Sequence, residues 1–91
     1  MTEAVQSSID RAADALDALL RARPADERQA RALYHLDRLR RAVRASHQEA
    51  VRFAAFTLHK TVRDASATWG PDLTAAMEQL KAALNAQGHH Y

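Results

Sequence analysis

Apolar residues in this chain recur at helical spacing. Val5, Ile9, Ala12, Leu16 and the pair Leu19/Leu20 return every third or fourth position, which places them on one side of a helix. The pattern predicts a first helix over about Glu3–Ala22, with Thr2 as its N-cap and Pro24 as its stop. Pro24, Ala25, Asp26 and Glu27 then read as the opening of a second helix, with acids in its first turn. Near the end, Leu73, Met77, Leu80 and Leu84 form another stripe. Gly70 precedes it as a C′ residue, Pro71 as a stop and Asp72 as a cap.

Between Asp26 and Gly70 the pattern admits two topologies. No glycine or proline interrupts this stretch, and Leu33, Leu36, Val43, Ala50, Ala54, Leu58, Ala65 and Trp69 hold one phase at about 100° per residue. That favours one continuous helix over about 25–68, roughly 65 Å long at ~1.5 Å per residue. The first reading is therefore all-α: a short helix, a very long helix and a short helix, assembling into an oligomeric bundle. The alternative is a break near Ser46. Ser46-His47-Gln48-Glu49 fits the S-x-x-E capping box, and the apolar stripe is weakest among Arg40, Arg41, Arg44, Ser46 and His47. A break there gives a compact antiparallel four-helix bundle. A turn without glycine or asparagine is less usual, so the continuous helix is the first expectation. Either way, residues 1–87 form one helical domain and 88–91 a flexible tail.

Some apolar residues lie off the main stripe. Phe53 and Phe56 point away from Ala54 and Leu58, and Tyr34 and Leu39 are similarly displaced. A helix that is apolar on more than one side needs a second partner. The simplest partner is another copy, giving a homodimer or tetramer. The expected oligomer interface is Tyr34, Leu39, His47, Phe53 and Phe56, with His47 as a partly buried polar group at a helix crossing.

Composition agrees with the helical pattern. The chain has 91 residues, two glycines and two prolines, and alanine, leucine and arginine dominate it, which suits one all-α domain. It has no cysteine, which excludes a disulfide framework, a thiolate nucleophile and a zinc knuckle. No basic-then-apolar leader and no apolar run of ~18 residues is present. The default expectation is a soluble cytoplasmic protein with no membrane partner.

The formal charge of +2 is unevenly spread. In residues 1–20, Arg11 alone opposes Glu3, Asp10, Asp14 and Asp17; in residues 21–44, eight arginines oppose Asp26, Glu27 and Asp37. A basic helix can lie along a nucleic-acid backbone, which makes Arg38, Arg40, Arg41 and Arg44 candidate nucleic-acid contacts. Against that, Glu27–Arg31 and Asp37–Arg41 are favourable i, i+4 pairs with the acid first. The acidic first helix should also fold against this region. Aromatics are not interleaved with the arginines along the sequence.

His35, His47 and His59 recur every 12 residues. In one straight helix that spacing is three turns plus about 120°, with a rise of ~18 Å between rings. The three rings then face three sides and cannot share a metal. A turn at Ser46 would instead bring His35 and His59 to one level on adjacent helices. The Glu-x-x-His pairs of di-metal bundles are absent. No metal, cofactor or catalytic residue is assigned, and no enzymatic activity is expected, because no nucleophile–base pair, phosphate loop or paired carboxylates are visible.

"ARALYHLDRLRRAV" (Ala30–Val43) and "LTAAMEQLKAAL" (Leu73–Leu84) resemble the start of the long helix and the last helix of the small tetrameric repressors that respond to copper, nickel or formaldehyde. The resemblance implies a short–long–short helical fold, tetramers and DNA binding. The chain departs from that family's ligand set. Glu27–Gln29 stands where its cysteine is found, Ala54 and Leu58 stand where its later ligands are found, and the first helix is acidic. No site residue is carried over. The expected function is helix-to-helix association as an adaptor, accessory subunit or regulator. The alternative is a DNA-binding regulator shaped like those repressors but lacking their cysteine ligand.

Overall fold

The computed structural model describes residues 2–91, with side chains from Ser8 onward. The Thr2 cap and the Val5 contact lie outside the described side chains. Five helices are found among the described residues: α1 (Thr2–Arg21), α2 (Glu27–Arg44), α3 (Gln48–Asp64), the single turn α4 (Ser66–Trp69) and α5 (Pro71–Ala86). The chain is all-α.

The long helix expected over 25–68 is not formed. The molecule measures 37 × 21 × 18 Å, too short for a rod of roughly 65 Å. The chain turns back at Ala45–His47, as in the alternative topology. α2 ends in a Schellman motif: the His47 N–H donates to the Ala42 carbonyl at 3.0 Å, and the Ser46 N–H to the Val43 carbonyl at 3.1 Å. Ser46 takes the left-handed position itself, at φ 54°. α5 ends the same way, with His89 N–H to Leu84 O at 2.9 Å, Gly88 N–H to Asn85 O at 3.0 Å, and glycine in the left-handed position. Serine fills the role that glycine fills at the second site. A left-handed L-residue costs about 1–2 kcal/mol. Burying one leucine or valine returns about 1.5–3 kcal/mol, and the hairpin buries Leu36, Leu39, Val51 and Leu58, each at most 1% exposed. Packing therefore outweighs the strained turn.

Local signals set the other boundaries. Asp26 is the N-cap of α2, its Oδ1 accepting from the Gln29 N–H at 2.8 Å, so the helix opens at Glu27. α5 begins at Pro71 behind Gly70, without a side-chain cap. Asp72, expected to cap it, lies in its first turn. Trp69 is buried at the end of α4.

α1 packs against α5 and α2, α2 against α3, and α3 against α5. The four longer helices thus run around one core, with short turns joining α1 to α2 and α2 to α3, and α4 with Gly70 joining α3 to α5. Ile9, Leu16 and Leu20 from α1 meet Leu36 and Leu39, Leu58 and Val62, and Met77, Leu80 and Leu84 from the other helices. Gln29, the buried polar residue of the core, donates from Nε2 to the carbonyls of Leu20 at 3.1 Å and Arg23 at 3.4 Å. It thereby ties the end of α1 and the turn after it to the start of α2.

Candidate functional site

The α2–α3 hairpin presents one face on which three large hydrophobic side chains stand in solvent: Tyr34 (59% exposed), Phe53 (58%) and Phe56 (54%). Tyr34 belongs to the second turn of α2 and both phenylalanines to α3, opposite the buried Ala54, Ala55 and Leu58. Arg38 lies one turn after Tyr34 and reaches across the hairpin. Its guanidinium carbon is 5.8 Å from the Tyr34 ring centroid and 5.8 Å from that of Phe53. Both are cation–π distances. Folding thus places an arginine between aromatics that the sequence does not interleave.

Two shallow depressions flank these rings. One, about 550 Å³, is lined by Tyr34, Arg38, Arg41, Ala42, His47 and Ala50 among others. The second, about 420 Å³, is lined by Glu49, Arg52, Phe53, Phe56 and Tyr91. Asp37, Arg38 and Arg41 on α2 and Glu49 and Arg52 on α3 put charges of both signs on the face.

The residues expected at an oligomer interface divide. Tyr34, Phe53 and Phe56 are exposed together on this face. Leu39 is not available there, being 1% exposed in the chain's own core; the hairpin gives α2 an inward stripe that one straight helix would not need. His47 is exposed rather than partly buried at a crossing. It is the N-cap of α3, its Nδ1 accepting from the Ala50 N–H at 3.3 Å, so the cap falls one residue after the Ser46 of the expected capping box.

The candidate nucleic-acid contacts also divide. Arg40 turns inward: its Nη2 pairs with the Asp14 carboxylate and donates to the Asp10 carbonyl at 3.2 Å. The acidic first helix does meet the arginine region here. Arg41 forms the expected pair with Asp37 at 3.0 Å. Arg38 and Arg44 have no carboxylate partner among the described residues. The Glu27–Arg31 pair is not among the ion pairs of the described residues.

His35 and His59 take separate partners. His35 packs edge-on against Tyr34, with centroids 5.5 Å apart. Burial holds its pKa below the ordinary histidine value, and Arg38 and Arg31 push the same way. His59 faces α5 and the tail, with Nδ1 3.0 Å from the Tyr91 hydroxyl and Nε2 3.4 Å from Glu78 Oε2. Burial lowers its pKa; Glu78 opposes that shift, while Lys81 and Arg63 add to it. Burial and Glu78 push the Tyr91 phenol up to about 12. Sequence spacing missed this cluster because Glu78 and Tyr91 lie far along the chain from His59. Among the described residues, no group of three or more histidine, aspartate or glutamate side chains is placed to hold a metal ion, and no helix is long and apolar enough to cross a membrane. Comparison with known protein families, curated proteins and solved structures returns no match.

Proposed function

We propose that this protein is a non-enzymatic helical interaction module that associates with a second copy of itself through the α2–α3 face, as a cytoplasmic adaptor, accessory subunit or regulator. The observation that carries this reading is the exposure of Tyr34, Phe53 and Phe56 on the α2–α3 hairpin, with Arg38 set against the Tyr34 and Phe53 rings and Phe56 beside Phe53. Tyrosine and arginine are enriched at the anchoring points of protein interfaces. The three rings expose roughly 350 Å² in all, if each offers ~200 Å² when fully exposed. A two-fold dimer buries that area on both copies, about 700 Å², which yields about 17 kcal/mol at ~25 cal/mol per Å². Association itself costs about 4–15 kcal/mol. The patch alone therefore supports association, and the flanking groups decide the affinity. Their mixed signs favour a copy of the same face: a two-fold contact can set Arg38 and Arg41 of one protomer against Asp37 and Glu49 of the other. A dissociation constant in the micromolar range, about −8 kcal/mol, is the expected result.

Light scattering across concentration tests this directly. Wild-type protein should pass from monomer to dimer, with a tetramer as the higher assembly. Phe53→Ala should weaken association by at least about 100-fold, because each of the two copies loses ring area worth roughly 3 kcal/mol at ~25 cal/mol per Å². Its unfolding midpoint as a monomer should be nearly unchanged, since the ring is already in solvent. A wild-type protein still monomeric at high micromolar concentration refutes the reading.

The duplex-DNA reading draws less support, because Arg40 and Arg41 are engaged by aspartates. Arg38 and Arg44 are what favour it. It predicts salt-sensitive duplex binding, and absence of binding at ~50 mM salt removes it.

A further inference from the structure

The groove between α3 and α5 holds a second built arrangement. His59 comes from α3, Glu78 and Lys81 from α5, and Tyr91 from the end of the chain. The Glu78 carboxylate beside Nε2 favours the tautomer with its proton there, leaving Nδ1 as an acceptor. The Tyr91 hydroxyl sits 3.0 Å from that nitrogen and donates to it. The Tyr91 ring stands edge-on to the imidazole at 67°, and the Lys81 Nζ lies 5.7 Å from its centroid. Phe56 shares with Tyr91 a cavity of about 190 Å³. A second cavity of about 170 Å³, walled by Val62, Thr74 and Met77, also opens on His59.

Tyr91 reaches this place as a ligand would. α5 ends at Ala86, and the chain's last backbone hydrogen bond outside the helices, among the described residues, is made by His89. Beyond it, the contacts that hold Tyr91 are made by its own ring and hydroxyl. The receiving groups are matched to a phenol: an acceptor for its O–H, a cation over its face and an aromatic wall. A ring without a donor would leave Nδ1 without its partner, which disfavours binding.

We infer that the α3–α5 groove is a binding site for a phenolic ring, filled in this structure by the chain's own Tyr91. An external phenol competes with an occupant whose effective concentration is of millimolar order. The site is therefore partly closed in the intact chain and opens fully when the tail is displaced.

The test is an NMR titration with p-cresol, against 4-methylanisole, which has no O–H to donate. Tyr91→Ala should bind p-cresol at millimolar concentration, with shifts centred on His59, Glu78 and Lys81. Wild type should bind at least about two-fold more weakly, as expected for a tethered competitor whose effective concentration is near its own dissociation constant. The methyl ether should bind several-fold more weakly than p-cresol, and Tyr91→Ala/His59→Ala should lose the response. Circular dichroism checks that each variant is folded. If Tyr91→Ala does not fold, Tyr91→Phe keeps the ring without the hydroxyl and should admit p-cresol more readily than wild type. Saturable shifts that depend on His59 support the site. Absence of saturation, or shifts that survive loss of His59, overturns it.

Discussion

Ser46→Gly distinguishes the hairpin from the straight helix by the sign of its effect. Ser46 is exposed, has φ 54°, and closes the Schellman turn between α2 and α3. Glycine removes the left-handed penalty of about 1–2 kcal/mol. It also adds freedom to the unfolded chain, worth about 0.5–1 kcal/mol in the other direction. The net expectation is a stabilisation of about 0.5–1 kcal/mol, or a melting temperature higher by roughly 2–8 °C for a domain of this size. In a continuous helix over 25–68 the same glycine would sit mid-helix and destabilise by about 0.5 kcal/mol relative to serine. The assay is thermal and urea unfolding followed by far-UV circular dichroism, at one fixed protein concentration because any self-association would raise the midpoint. Unfolding at a lower temperature than wild type would refute the turn. A β-branched residue provides the converse control: Ser46→Val should destabilise, since such residues rarely adopt positive φ.

Gly70 joins α4 to α5 at φ 86° and ψ 175°, a region open essentially to glycine alone. Nothing lies within 4 Å of an added Cβ, so Gly70→Ala should lower stability by about 1–3 kcal/mol through backbone strain alone, measured by urea denaturation. Gln29→Leu should destabilise by about 1 kcal/mol, because the Leu20 and Arg23 carbonyls lose their amide donor; an unchanged midpoint would remove Gln29 as the tie between α1 and α2. His35 and His59 both have folded pKa values below the ordinary 6.5, chiefly through burial. The unfolded chain therefore takes up these protons first as pH falls. The stability they contribute is present above pH ~6.5 and is lost as pH drops through their folded values. Urea midpoints between neutrality and mildly acidic pH should fall for wild type and flatten in His35→Gln/His59→Gln.

Much of the exposed aromatic face was legible because it depends on local phase. Phe53 and Phe56 flank Ala54 and Ala55 in any helix, so burying the alanines turns the rings outward. Leu39 lies in the core and not at the surface because a straight helix and a hairpin bury different sides of residues 27–44. The role of Arg40 needed α1 beside it, since Asp14 lies 26 positions away. The aromatic–arginine stacking was hidden because Phe53 comes to Arg38 across a turn. Tyr91 was read as part of a flexible tail; its hydroxyl meets His59, 32 positions back in sequence.

The sequence by itself determined an all-helical chain, helix boundaries at Pro24 and Gly70-Pro71, and the apolar stripes of α1 and α5. These follow from backbone chemistry and 3.6-residue periodicity, which act within a few positions. Only the tertiary structure decided whether the middle of the chain ran straight or turned back. Ser46 alone prefers neither outcome strongly, with about 1–2 kcal/mol opposing its left-handed conformation. The decision belongs to Leu36, Leu39, Val51 and Leu58, which gain more by packing in one core than the turn costs. The same packing brought His59, Glu78 and Tyr91 into one groove.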